Sequence, residues 1–99
     1  MVNVKQTYTL VDPTTEAIVP EFQGAPRLPS IAGANIGLID DSKRNADVLL
    51  EEIANVLTEK YEGNSISWLK KPSASKPADP GELESLAKSS DAIIIAIGD

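Results

Sequence analysis

Residues Ala34 to Asp41, Ala-Asn-Ile-Gly-Leu-Ile-Asp-Asp, form an apolar run that stops on two acids. A helix-like pattern begins immediately afterwards, from Ser42 to Leu57. A buried strand that feeds directly into a helix is the first half of a βαβ unit. In open α/β sheets, ligands bind outside the carboxyl ends of the strands. Asp40, Asp41, Ser42, Lys43 and Asn45 are therefore expected at such an end.

The rest of the chain extends this pattern. The first strand is predicted over 35–39, and its helix starts between Ser42 and Asn45, both good N-caps. Ala46, Leu49, Leu50, Ile53, Ala54, Val56 and Leu57 recur at helical spacing as one broad apolar face. Gly63-Asn64 is the expected stop. Ile66, Trp68 and Leu69 predict a short second strand, succeeded by Lys70-Lys71-Pro72 and a loop from Ser73 to Gly81. Asp79 is a candidate cap for a second helix, with Pro80 at its first position. That helix is predicted to run to about Lys88, with Leu83, Leu86 and Ala87 toward the core. A third strand, 92–97, is apolar throughout and precedes Gly98-Asp99. The order βαβαβ with right-handed crossovers gives strand order 2-1-3. The fold class expected is α/β, half of a doubly wound (Rossmann-like) parallel sheet.

A strand apolar at every position belongs to a sheet covered on both faces and flanked on both edges. Left bare, it would be an aggregation hazard. Because the sequence ends on this strand, a second polypeptide is expected to continue the sheet. The other reading is a small domain that dimerises through the same edge.

The lead-in differs in character. Val2 to Val11 alternates loosely and reads as an extended arm or edge strand, and Asp12-Pro13-Thr14-Thr15 ends it with turn chemistry. Gly24, Pro26 and Pro29 interrupt the segment from 16 to 33, leaving Ile18, Val19 and Phe22 as apolar islands. Residues 1–33 are thus an extended, Pro-punctuated arm, either a partly ordered tail or a strap over a neighbouring chain. Residues 34–99 are the α/β half-domain, completed by a partner chain.

Composition narrows the chemistry. The sequence has no cysteine and no histidine, so disulfides, Cys/His zinc sites and Cys or His nucleophiles within it are excluded. The net charge is -6. Residues 1–33 carry two basic and three acidic side chains, and residues 34–99 carry seven and twelve, so the acidity lies on the α/β part. No basic stripe points to nucleic acid. No apolar run is long enough to span a membrane, and the N-terminus lacks a signal-peptide pattern, so a cytoplasmic setting is expected.

Three strand ends should converge: Asp40 to Asn45, Lys70 to Ser73, and Gly98-Asp99. Paired carboxylates there can bind a divalent cation or do acid–base work. Lysines can neutralise an anion or lower a neighbour's pKa. The plainer alternative is solvation and helix capping. Neither a Gly-x-Gly-x-x-Gly loop nor a Gly-Lys-Ser/Thr loop comes after the first strand, and no spacing singles out a Ser, Lys or Asp nucleophile.

The motifs carry two resemblances. Ile36-Gly-Leu-Ile-Asp-Asp-Ser and Asp91-Ala-Ile-Ile-Ile-Ala resemble strands of response-regulator receiver domains. That likeness implies magnesium at Asp40 and Asp41 in a non-enzymatic binding or regulatory module that self-associates through its edge strand. The phospho-accepting aspartate of that pattern is here Ala96.

The second resemblance covers most of the chain. Asp12-Pro13, Ala25-Pro-Arg-Leu-Pro, Gly37-Leu-Ile-Asp, Asn45-Ala-Asp-Val-Leu-Leu, Lys71-Pro-Ser-Ala-Ser-Lys-Pro-Ala and Ala96-Ile-Gly-Asp99 occur in this order. Together they resemble the N-terminal half of the UGSC-type family of (seleno)proteins, named for a selenocysteine- or cysteine-Gly-Ser-Cys motif. In that pattern the reactive residue comes directly after the Gly-Asp that is Gly98-Asp99 here. The resemblance implies the small subunit of a two-chain thiol- or selenol-dependent enzyme, doing redox or elimination chemistry on a small molecule. The partner chain, encoded at the same locus or cut from a common precursor, would carry the reactive Cys. Asp99 would lie beside that nucleophile, and a cationic Lys43 or Lys71 would favour its thiolate. Asp40, Asp41, Lys43 and Asn45 would line the same crevice as substrate-binding residues. The resemblance assigns no metal or cofactor.

Overall fold

The computed structural model describes residues 5–98. The elements are β1 (Asn35–Asp40), α1 (Ala46–Glu59), β2 (Ser65–Lys70), α2 (Pro80–Ser89) and β3 (Ala92–Ala96). The strands form one parallel sheet in the order β2-β1-β3. This is the expected α/β pattern.

Alternation along β1 divides the core between two faces. Ile36 and Leu38 face α1 and join Ala46, Leu50, Ala54 and Ala96, with Ile66, Ala92 and Ile94 at the margin. Ile39 points the other way and packs with Leu69 and with Leu86 of α2. α1 therefore lies over β1 and β3, and α2 lies over β2 and β1. Gly37 permits the second approach. A Cβ at this position would stand 2.6 Å from the Ser90 hydroxyl and 3.1 Å from Leu86.

Several boundaries differ from the sequence expectation, each for a local reason. β1 extends one residue further, because the ladder continues through Asp40 opposite Lys70 and Ala96. β2 gains Ser65 and Lys70 in the same way, and β3 ends at Ala96, before Ile97. α1 stops at Glu59 rather than at Gly63-Asn64. The left-handed residue that turns the chain is Glu62 (φ 60°), not Gly63. The N–H of Gly63 closes that turn on the Leu57 carbonyl at 2.9 Å. α2 starts as expected, with the Asp79 carboxylate accepting from the Glu82 N–H at 3.0 Å and Pro80 in the first turn.

Helix coverage is also narrower than the apolar patterns suggest. α1 buries Ala46, Leu50 and Ala54, while Leu49 and Val56 stay exposed and Ile53 half-buried. α2 buries Leu86 but not Leu83 or Ala87. β3 is covered on one face only. Ala92, Ile94 and Ala96 meet α1, whereas Ile93 is 40% and Ile95 60% exposed. Among the described residues β3 is an edge strand, so the flanking expected on both its sides is not supplied by them.

The lead-in, residues 5–30, has no helix or strand and is exposed throughout. Strand alternation over Val2–Val11 does not produce sheet pairing in the described part of that segment, and residues 1–4 lie outside the described residues. The turn chemistry does appear. The Asp12 carboxylate accepts from the Thr14 N–H at 3.0 Å and from the Thr14 hydroxyl. These bonds, the hydroxyl's first, hold the Asp12 carboxyl below its ordinary pKa. The molecule measures 82 × 31 × 28 Å with a radius of gyration of 22.3 Å, against about 13 Å for a compact chain of this length. The arm accounts for the difference.

Candidate functional site

The carboxyl ends of the strands are tied together by backbone and side chains. The Lys71 N–H donates to the Asp40 carbonyl at 3.0 Å, and the Asp41 N–H donates to the Ala96 carbonyl at 3.2 Å. One residue past each bond, the chain turns into a loop. β1 leads into Asp41 to Asn45, in which Ser42 (φ 68°) and Asn45 (φ 67°) both adopt left-handed backbone.

Asp40 is 3% exposed. Its Oδ1 accepts the Ser42 N–H at 2.8 Å, so it shapes the turn from beneath. Asp41 stands higher and pairs with the Lys71 ammonium, with both side chains largely covered. Lys71 Nζ also reaches the Ala74 carbonyl at 3.4 Å. The Ser42 hydroxyl donates to the Lys71 carbonyl. The loops after β1 and β2 are thus clasped by an ion pair and a hydroxyl bridge.

Gly98 brings the end of β3 against the same loop. A Cβ at Gly98 would sit 2.4 Å from the Arg44 carbonyl oxygen and 2.9 Å from the Ala46 nitrogen. Any side chain would push the two segments apart. Asp99, expected to be catalytic, lies outside the described residues, directly after this contact.

Asp40, Asp41 and Lys71 therefore share one cluster. Lys43 and Asn45 occupy the exposed part of the loop above it. Asn45 holds the N-cap position of α1, but its side chain makes no cap bond, and the Ser42 hydroxyl is committed to Lys71 rather than to the helix. Capping by either side chain is not what they do here. Among the described residues, no group of three or more acidic side chains is placed to hold a metal ion.

Three participants were not singled out by sequence reasoning: the Ser42 hydroxyl as a bridge, the Ala74 carbonyl on Lys71, and Gly98 as a close-contact position. The signal for Gly98 was a glycine just beyond an apolar strand. The other two depend on how the β2–α2 loop folds, which no local pattern encodes. A groove of about 650 Å³ also runs between β2 and α2, lined by Trp68, Lys70, Asp79, Glu82, Ser85 and Ser89 among others. None of the strand-end residues Asp40, Asp41, Ser42 or Lys71 lines it.

What the strand-end cluster offers chemically is a neutralised, largely desolvated Lys–Asp pair beside a tight glycine contact. The ammonium keeps a donor for an incoming anion or thiolate, and Asp41 fixes where it points. No helix among the described residues is long and apolar enough to cross a membrane. No curated protein and no solved structure matches the sequence. The UGSC family pattern, by contrast, matches residues 9–99, and with nearly the whole sequence inside that match the chain belongs to the UGSC family.

Proposed function

We propose that this chain is the small subunit of a two-chain thiol- or selenol-dependent enzyme acting on a small molecule by redox or elimination chemistry. It frames an active site at the carboxyl ends of its strands. A second polypeptide continues the sheet past β3 and carries the reactive cysteine. The observation that carries this reading is the meeting of two features around the loop after β1. The strand ends hold the Asp41–Lys71 pair, and β3, which delivers Gly98 to that pair's loop, has a lateral edge unpaired among the described residues and leaves Ile93 and Ile95 exposed on the face away from α1. In the UGSC pattern the reactive residue comes directly after the Gly-Asp that is Gly98-Asp99 here.

In this arrangement Lys71 is a positioning cation. Its charge favours the thiolate of the incoming cysteine, and Asp41 holds it in place. Asp99 lies next to the nucleophile, and Lys43 and Asn45 border the entrance for substrate. The receiver-like alternative is less well supported, because Asp41 is engaged by Lys71 and Asp40 by the Ser42 N–H.

The test is the pH dependence of cysteine alkylation in the assembled pair. Replacing Lys71 with Gln should raise the apparent pKa of the reactive thiol by roughly one unit and slow its alkylation at neutral pH severalfold. An unchanged profile in a pair that still assembles would remove Lys71 from the site.

A further inference from the structure

Charge is unevenly placed on the α/β part. The stretches 40–45 and 70–79, at the carboxyl ends of β1 and β2, hold five cationic side chains, Lys43, Arg44, Lys70, Lys71 and Lys76, against Asp40, Asp41 and Asp79. Elsewhere in residues 34–98, two cations face eight acids. Both of those cations are engaged locally. Lys88 pairs with Glu84 at 3.1 Å, and Lys60 lies over the Tyr61 ring at 5.6 Å. The three strand-end acids are committed as well. Asp40 is buried on the Ser42 N–H, Asp41 pairs with Lys71, and Asp79 caps α2. Arg44, Lys70 and Lys76 are exposed and make no ion pair with another described residue. Lys70 lines the groove beside α2, which leaves Arg44 and Lys76 on the loops themselves.

We propose that the small molecule bound at this edge carries an oxyanion group, a carboxylate or a phosphate, and that Arg44 and Lys76 hold it. The inference deepens the two-chain reading and rests on it for calling that molecule the substrate. Local geometry places both cations. Gly98 packs so closely on the loop after β1 that a Cβ there would lie 2.4 Å from the Arg44 carbonyl oxygen. In the UGSC pattern the reactive residue is two positions past that glycine, so the nucleophile is delivered beside Arg44. Lys76 is brought to the same end of the sheet by the turn 73–76. Its N–H donates to the Ser73 carbonyl at 3.3 Å. The Ala74 carbonyl in that turn accepts from the Lys71 ammonium at 3.4 Å, and Asp41 on the neighbouring loop holds the same ammonium. A guanidinium fork matches two oxygens of a carboxylate or phosphate, and an ammonium adds a second charge. The acidic remainder of the body repels such a ligand, so the field draws it to this edge.

Two experiments test the anion site. In the first, amide spectra of the isotope-labelled full-length chain are recorded while inorganic phosphate, or separately acetate, replaces chloride at constant ionic strength. Saturable shifts in the millimolar range should centre on residues 43–45 and 73–76. Arg44→Gln combined with Lys76→Gln should weaken binding roughly fivefold or more without changing the circular dichroism spectrum. Lys60→Gln with Lys88→Gln should leave it unchanged. A stronger response to phosphate names a phosphorylated substrate, and a stronger response to acetate names a carboxylic acid. No saturable shifts, or shifts indifferent to the Arg44 and Lys76 substitutions, would overturn the proposal. The second experiment uses the assembled pair. Iodoacetate and iodoacetamide alkylate the same thiolate, so the ratio of their rates cancels the thiolate fraction and reports the attraction of an anion. Arg44→Gln with Lys76→Gln should lower that ratio roughly threefold or more. An unchanged ratio in a pair that still assembles would also overturn the proposal. A chain that shows the anion shifts but has no cysteine-bearing partner would instead sink the two-chain reading and leave the anion site standing.

Discussion

β1 and β3 are neighbouring parallel strands of one sheet and have opposite fates. β1, Asn-Ile-Gly-Leu-Ile-Asp, is buried from Ile36 to Asp40. β3, Ala-Ile-Ile-Ile-Ala, is more apolar and alternates between covered and exposed. The difference is position in the sheet. β1 lies between two strands and between two helices, whereas β3 has one neighbour and one helix among the described residues. Hydrophobicity tells what a strand needs, and topology tells whether its own chain supplies it. In β3 the exposed side chains, Ile93 and Ile95, lie on the face away from α1.

Substitutions should separate the two strands sharply. Leu38→Ala empties a site with no solvent access and should cost about 2–5 kcal/mol in chemical denaturation. Next in size are the close glycine contacts. Gly98→Ala drives a methyl against the Arg44 carbonyl and should cost about 1–3 kcal/mol, with chemical-shift changes confined to the loop after β1. Asp41→Asn leaves the Lys71 ammonium largely covered without its counter-charge. A loss of about 1–2 kcal/mol is expected, less than for a fully buried pair, and the difference from wild type should shrink in high salt. Asp79→Ala removes the cap on α2 and should cost about 1 kcal/mol. Ile95→Lys, on the bare flank, should change the stability of the free chain by no more than about 0.5 kcal/mol. A large loss there would mean that β3 is covered by its own chain and would erase the contrast with β1.

Much of this architecture was legible in the sequence because it rests on short-range signals. Two apolar runs ending on acids or glycine, separated by helix-period stretches, suffice for the strand order once crossovers are right-handed. Asp79-Pro80 announced α2, and the three strand ends were assigned to one edge by topology alone. What was not legible depends on geometry between distant residues. The helical spacing shows one broad apolar face on α1, yet only a narrow stripe meets the sheet, because Ala46, Leu50 and Ala54 let the helix lie close and leave Leu49 and Val56 outside. Ser42 and Asn45 looked like caps by residue type. The left-handed turn that both adopt, and the approach of the β2–α2 loop, gave the Ser42 hydroxyl a different partner. Glu62 took the left-handed position expected of glycine, since Gly63 is needed where a Cβ would come within 3.2 Å of the Leu57 carbonyl oxygen.

The central claim is that the bare flank of β3 is the seat of a second polypeptide that completes the site. Native mass spectrometry of the tagged chain and its Ile95→Lys variant, each produced from the intact genomic locus, tests it most directly. The wild-type chain should carry a second, cysteine-containing polypeptide at fixed stoichiometry, and the Ile95→Lys chain should lose it while remaining folded. A wild-type chain found only with copies of itself, or a partner retained undiminished by the Ile95→Lys chain, would contradict the claim.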